Sequence, residues 1–311
     1  MEIIKKFSLI ATCLLVCGCQ SCTPLNIDNV NPLVIEKLDT LQPSKNKASG
    51  NFSDNYQVVA HAFGAIDGYE LTNSLEAFMA NYEKGTRVFE IDMELSEDGD
   101  VVLTHGWPWF NDTLVGNNLE YTALSTKVFQ DSKIYGKYQP LTFDDALYIL
   151  QRYPDVYFII DSKTFDLDGF KKRYELISEK VKAIDSSLLQ RIIPQAYNFE
   201  MALWLKNESD FKEYILTCYA IYDQSSGLEI FEFVKENNVP IVTMHMANDW
   251  AKKVITDIYA YATYQEYQDK FKIYIHTVND INVAKDIIKE YHFNGIYSDD
   301  ISETEFKEAL N

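Results

Sequence analysis

The sequence predicts an α/β protein: a (β/α)8 barrel with a hairpin insertion after its second strand. From residue 56 onward, short β-branched and aromatic runs alternate with longer amphipathic stretches, the rhythm of parallel strands joined by helical crossovers. Eight strand segments fit that scheme within about 250 residues, the usual size of such a barrel. A ninth segment, 101–105, follows the second strand after only Ser96-Glu97-Asp98-Gly99-Asp100. That turn is too short for a parallel crossover and suits an antiparallel hairpin.

In chain order the barrel strands are expected at 57–64, 87–95, 156–163, 191–197, 213–220, 239–247, 271–279 and 295–299. Amphipathic helical patterns lie at 74–84, 142–152, 167–183, 200–206, 228–237 and 281–291. Residues 106–139, which include Trp107 and Trp109, form an insertion over one mouth of the barrel. The barrel domain is read as 56–311, and the Pro-, Ser- and Asn-containing stretch 19–55 as a polar tether.

Composition narrows the function classes. The 311 residues carry 28 Lys+Arg against 47 Asp+Glu, a formal net charge of -19. Polyanion backbones are bound through basic patches, so nucleic acid is set aside as a partner. Four of the five cysteines, Cys13, Cys17, Cys19 and Cys22, fall in the first 22 residues, which leaves no disulfide framework for the body. The same stretch has Lys5 and Lys6 followed by an apolar run over 7–17, too short to span a bilayer, and reads as an export signal over 1–18. Val16-Cys17-Gly18-Cys19 resembles the bacterial lipobox, making Cys19 the acylation candidate. An exported lipoprotein held to a membrane by its N-terminus is the expectation; a plain secretory signal is the alternative.

Chemistry gathers at the strand ends. Side chains alternate along a strand, so Val88, Glu90, Asp92 and Glu94 share one face and Phe89, Ile91, Met93 and Leu95 the other. The apolar set belongs against the helices. Glu90 and Asp92 then point into the lumen, where unpaired carboxylates are costly unless they bind a cation. Arg87, three residues from Glu90, lies on the opposite face and is no ion-pair partner for it. Asp161 and Lys163 share a face at the end of the third barrel strand, the first strand ends at His61, and the hairpin brings His105 to the same rim. Active sites of this fold occupy that end of the strands. Two histidines, three carboxylates and a lysine at one mouth suit metal-assisted phosphodiester cleavage. His245 and His276, on late strands near the rim, are candidates to line the substrate pocket. His292 reads as a packed or surface residue and Cys218 as apolar filler. Trp107 is either a core aromatic of the insertion or a lip residue that meets a lipid tail or a sugar.

Five motifs in register resemble the glycerophosphodiester phosphodiesterase family. They are Val59-Ala60-His61-Ala62-Phe63-Gly64 with Asn73-Ser74-Leu75-Glu76-Ala77-Phe78; Phe89-Glu90-Ile91-Asp92-Met93-Glu94 with Val101-Val102-Leu103-Thr104-His105; Ile160-Asp161-Ser162-Lys163; Thr277-Val278-Asn279; and Gly295-Ile296-Tyr297-Ser298-Asp299. The resemblance, over about residues 57–305, implies a TIM-type barrel in which Glu90, Asp92 and Asp161 hold one divalent cation, Mg2+ or Ca2+. It implies His61 and His105 as acid and base, Lys163 on a phosphate oxygen, Asn73 near the substrate, and a small-molecule or lipid-derived phosphodiester as substrate. The sequence departs from the family at Ala62 (arginine), Leu71-Thr72 (Pro-Glu), Asp161 (glutamate) and His276 (tryptophan). Without the arginine a bidentate phosphate clamp is missing. The Asp-x-Lys pattern also resembles the phospholipase D toxins of the same superfamily, which form a cyclic phosphate. A non-catalytic barrel that binds a glycan or a phospholipid head group is the rival outside enzymes.

Overall fold

The structure, a computed structural model, describes residues 28–311. The expected signal segment 1–18 and the acylation candidate Cys19 lie outside the described residues. The chain runs α1 (Pro32–Leu38), β1 (Val58–Ala60), α2 (Leu75–Glu83), β2 (Val88–Leu95), β3 (Val101–Leu103), α3 (Thr126–Asp131), α4 (Phe143–Arg152), β4 (Tyr157–Asp161), α5 (Leu167–Ile184), β5 (Ile192–Ala196), α6 (Phe199–Asn207), β6 (Ile215–Thr217), α7 (Gly227–Asn237), β7 (Ile241–Met244), α8 (Asp249–Tyr264), β8 (Lys272–Ile275), α9 (Ile281–Lys289), β9 (Gly295–Ser298) and α10 (Glu303–Leu310). Eight parallel strands form a closed ring, because β1 pairs with β9 (Val58 opposite Ile296) and with β2 (Ala60 opposite Phe89). The hairpin strand β3 pairs antiparallel to β2, Met93 opposite Leu103, outside the ring. Helices α1, α3, α8 and α10 are additions to the sequence-predicted set.

The helices start where polar residues cap them. Ser74, Asp166, Asn198, Asn248 and Asp280 accept hydrogen bonds from first-turn amides, and Thr142, Ser226 and Ser302 form full capping boxes with Asp145, Glu229 and Glu305. Alternation along β2 holds. Phe89, Ile91 and Met93 pack in the layer between strands and helices, and Val88 packs in the lumen. The lower lumen is apolar, filled by Val59, Val88, Tyr157, Ile159, Ile193, Ile215, Ile241, Tyr274 and Tyr297. Above this apolar layer, toward the C-terminal ends of the strands, lie the lumen carboxylates Glu90, Asp92 and Asp161.

The stretch expected to be a tether is instead packed onto the barrel. Val34, Leu38 and Leu41 are buried in the main core, the Tyr153 hydroxyl donates to the carbonyls of Leu38 and Leu41 at 3.2 and 3.1 Å, and the Asn31 amide donates to Asp145 at 2.8 Å. Phe52 is fully buried beneath the lumen, its ring centroid 5.5 Å from Tyr274 and 6.4 Å from Tyr157. The sparse apolar residues of this polar stretch are each placed on the barrel, which composition averaged over the segment hides. No helix among the described residues is long and apolar enough to cross a membrane.

Glu213, at the start of the segment leading into β6, is buried near Asp54, and its Oε1 has no hydrogen-bond partner. Burial, reinforced by the Asp54 carboxylate and only partly offset by Ser53, pushes its carboxyl up to about 7. A raised acid binds its proton more tightly in the folded chain. Its contribution to stability is therefore full below the ordinary carboxyl range and is lost as pH rises through about 7. Glu213→Gln is expected to stabilise the protein at pH 8, by up to about 3 kcal/mol, and to leave it nearly unchanged at pH 5. Thermal melts at the two pH values check this, and an equal shift at both would refute it.

Candidate active site

β1 ends at Ala60, and the chain turns sharply through His61–Phe63 with Ala62 and Phe63 at φ 47° and 71°. Left-handed backbone at two consecutive non-glycine residues is costly. Here it leaves His61 at the mouth, 12 % exposed, with Nδ1 2.8 Å from Asp299 Oδ1 at the end of β9. Asp299 in turn accepts from Asn279 Nδ2 at 2.8 Å, and the Asn279 carbonyl oxygen accepts from the Asp299 amide at 2.9 Å. With Nδ1 committed, His61 Nε2 faces Glu90 Oε2 at 3.6 Å.

Glu90 and Asp92 are each hydrogen-bonded on one oxygen, and Asp161 on both. Gln195 Nε2 donates to Glu90 Oε1 at 2.7 Å, and the Thr217 hydroxyl fixes that amide by donating to Gln195 Oε1 at 3.0 Å. Asn73 donates to Asp92 Oδ2 at 2.8 Å and accepts from the Asp92 amide at 3.0 Å. Tyr197 donates its hydroxyl to Asp161 Oδ1. Glu90, Asp92 and Asp161 each offer one oxygen within 4.8 Å of the others. Glu90 Oε2 and Asp92 Oδ1 are buried without a hydrogen bond. Lys163 Nζ lies among them, 2.6 Å from Asp161 Oδ2 and 2.8 Å from Asp92 Oδ1, the latter an ion-pair contact without hydrogen-bond alignment. Three buried carboxylates with hard-ligand character, two of their oxygens without a hydrogen bond, fit a divalent cation.

The ammonium shapes the local charge. Burial alone would raise the Asp92 carboxyl, but Lys163, then His105 and His61, hold it well below the usual range. Burial would lower Lys163, and Asp161, Asp92 and Glu90 drive it well above its ordinary value instead. The two histidines diverge. Burial works against a charged His61, yet Glu90 and the hydrogen bond to Asp299 overcome it and raise the imidazole to about 9. His105 is pushed down, by burial first and by the Lys163 charge, with Asp92 and Asp161 opposing. A titratable pair whose pKa values are driven apart divides naturally into an acid and a base.

Glu90, Asp92, Asp161, His61, His105 and Lys163 thus meet at one mouth. Lys163 does so by a route other than strand alternation, because β4 ends at Asp161 and Lys163 adopts φ 52°, folding its side chain back over the carboxylates. Two other candidates are corrected. Asn73 is fully buried with both amide ends spent on Asp92, so it positions a carboxylate and does not line a substrate pocket. Trp107 is 7 % exposed, packs edge-on against Phe110 and Phe129, and donates its indole N–H to the Leu95 carbonyl at 3.1 Å. It is a core aromatic of the insertion, not a lip. His276 does reach the site: its Nε2 is 3.8 Å from Glu90 Oε2 and its ring lies edge-on to His61 at 4.7 Å. His245 packs on Tyr222 and Tyr219, and with His276 it lines a cleft of about 610 Å³ between α8 and α9. Arg87 pairs with Asp155 at 2.6 Å, not with the lumen carboxylates.

Asp299, Asn279, Gln195, Thr217 and Tyr197 are the residues of this network that no earlier role assignment included. The first two lie in motifs that the sequence displays. Gln195, Thr217 and Tyr197 carry no pattern of their own, and only lumen-facing placement on β5, β6 and the end of β5 would find them.

No family model and no curated protein matches the sequence. Solved structures share its fold. A glycerophosphodiester phosphodiesterase from Parabacteroides distasonis superposes with a TM-score of 0.62 at 17% identity, over 82% of this chain and 97% of that one. One from Thermotoga maritima gives 0.58 at 18% identity, over 83% and 99%. A phosphodiesterase from Oleispira antarctica, solved with the product sn-glycerol-3-phosphate, gives 0.61 at 17% identity, over 83% and 98%. At these identities the likeness is one of fold.

Proposed function

We propose that this chain belongs to the glycerophosphodiester phosphodiesterase family and hydrolyses a phosphodiester with one divalent cation. The observation that carries the reading is the trio of buried carboxylates, in which Glu90 Oε2 has no hydrogen bond and Asp92 Oδ1 meets only the Lys163 ammonium, flanked by two histidines of opposite protonation tendency. Its occurrence in a barrel like those of phosphodiesterases, one of them solved with sn-glycerol-3-phosphate, supports the same class of substrate.

Glu90, Asp92 and Asp161 would hold the cation, Mg2+ or Ca2+, which supplies Lewis-acid polarisation and charge neutralisation at the phosphoryl group. The protein's own residues do the rest. His105, kept neutral by burial, takes a proton from the attacking water as its oxygen forms the new P–O bond. His61, kept protonated by Glu90 and Asp299, gives a proton to the alkoxide whose P–O bond breaks. Asp299 fixes the imidazole so that Nε2 faces the reacting group. Lys163 offers its ammonium to a non-bridging oxygen. In a chain of net charge -19, that cation and the bound metal oppose the repulsion an anionic substrate meets.

The test is turnover of a panel of glycerophosphodiesters and lysophospholipids, with and without EDTA. The expected product is a phosphomonoester formed only with metal present. A cyclic phosphate would assign the lyase chemistry instead, and no metal-dependent turnover on any member would overturn the enzyme reading for those classes.

The chain is further read as an exported, lipid-anchored protein, on Lys5 and Lys6, the apolar run over 7–17 and the Val16-Cys17-Gly18-Cys19 stretch. Cys19→Ala is expected to abolish incorporation of labelled palmitate in a bacterial host and to release the protein from the membrane fraction. Labelling that persists in the variant would refute Cys19 as the anchor.

A further inference from the structure

Three ligand atoms at the barrel mouth form a set different from the carboxylate trio. His61, Glu90 and His276 each bring one atom within 4.8 Å of the other two. The Nε2 atoms of His61 and His276 lie 3.6 and 3.8 Å from Glu90 Oε2, the buried oxygen that accepts no hydrogen bond. Ligand atoms held about 2.0–2.1 Å from a tetrahedral metal stand roughly 3.4 Å apart, close to both separations. Each member of the set is also oriented from behind, as metal ligands are. His61 Nδ1 donates to Asp299 Oδ1 at 2.8 Å, His276 Nδ1 meets the Thr277 hydroxyl at 2.8 Å, and Glu90 Oε1 accepts from Gln195. The His276 ring packs against Tyr297 and Tyr219, with centroids 4.8 and 5.6 Å away, which limits its rotation. Both imidazoles thus keep Nε2 for Glu90. Their side chains remain 12% and 17% exposed, so the set is open to solvent ions.

We infer that His61, Glu90 and His276 are a second cation site, selective for Zn2+, that shares Glu90 with the carboxylate trio. Donor chemistry separates the two sites. Three carboxylates suit Mg2+ or Ca2+, whereas two imidazoles and one carboxylate are a zinc set. The second imidazole, His276, comes at a position where the sequence departs from the family motifs. The inference goes beyond the proposed hydrolysis and bears on it. A zinc ion on His61 Nε2 takes the place of the proton that His61 gives to the leaving alkoxide, so zinc occupancy and acid catalysis exclude one another. Zinc is therefore an inhibitor of this site and not its working metal.

The experiment titrates the full chain with Zn2+ in a calorimeter, without substrate, and records zinc X-ray absorption on the loaded protein. Cys13, Cys17, Cys19 and Cys22 are changed to Ser throughout, because their thiolates would compete for zinc. One Zn2+ is expected to bind at about micromolar affinity or tighter, with the scattering pattern of two imidazoles at about 2.0–2.1 Å. His276→Gln is expected to weaken zinc binding about tenfold or more and to leave Mg2+ affinity unchanged. Asp161→Asn is expected to do the reverse. A chain that binds no zinc, a spectrum without imidazole, or a zinc affinity that follows Asp161 and not His276 overturns the inference. The spectrum is taken with both histidines intact, so it decides the matter even where a variant fails to fold. No substrate enters these measurements, which keeps a failure of the hydrolysis reading distinct from a failure of the zinc site.

Discussion

Glu90→Gln is expected to remove divalent-cation binding and to lower kcat/KM by at least about a hundredfold. The substitution is nearly isosteric. The Gln195 amide can still donate to the new side chain's carbonyl oxygen, so the lumen keeps its hydrogen bond at the Oε1 position. What disappears is the charge on Oε2, the buried oxygen that lacks a partner and lies among the Asp92 and Asp161 oxygens. The loss extends to the acid. His61 is raised to about 9 with Glu90 as its largest favourable influence, so the variant's imidazole falls toward its ordinary range. Calorimetric titration with Mg2+ and Ca2+, beside a melt showing an intact fold, separates these effects. A variant that binds cation with wild-type affinity would show that Glu90 is not a ligand.

His105→Ala is expected to lower kcat by about 10²–10⁴-fold, the span of a lost general base. The pH profile gives the sharper reading. A base works deprotonated, and burial and the Lys163 charge lower His105, so wild-type kcat/KM should rise through a pH below 6.5. An acid works protonated, so the alkaline fall should track His61, near 9 before a cation takes up part of the Glu90 charge and lower once it does. His105→Ala should erase the acid limb and leave the alkaline one. A variant that keeps the acid limb assigns the base to another group. Because His105 does not touch the carboxylate oxygens that would hold the cation, cation affinity should survive the change, which distinguishes this variant from Glu90→Gln.

Much of this site is legible in the sequence because strand alternation is a local property. Glu90 and Asp92 sit two apart among Val88, Phe89, Ile91 and Met93, and a parallel strand can bury that pattern in only one way, apolar side toward helices. Their lumen position follows without any knowledge of neighbours. The partners do not follow. His61 and Asp299 are separated by 238 positions and meet only because β1 closes the ring against β9. Gln195 reaches Glu90 across 105 positions by lying in the same layer of the lumen.

The misplacements have the same origin. Asn73 lies in a motif beside the site, and nothing local says that its amide turns inward to Asp92. Trp107 has the composition of a lip residue, but the insertion has its own small core of Phe110, Leu114, Phe129 and Ile134, and an indole covers that core better than it covers water. Residues 28–55 average to a polar linker, although a few apolar side chains among them suffice to dock the segment. What the sequence determined by itself is therefore the strand order, the direction most strand side chains face, and the gathering of histidines and carboxylates at the strand ends. The tertiary structure alone decided which oxygen of each carboxylate is already satisfied, which histidine is driven up and which down, and what floors the lumen. Alternation is set by backbone geometry within a few residues, whereas burial, charge and hydrogen-bond partners depend on groups that ring closure brings together from the two ends of the chain.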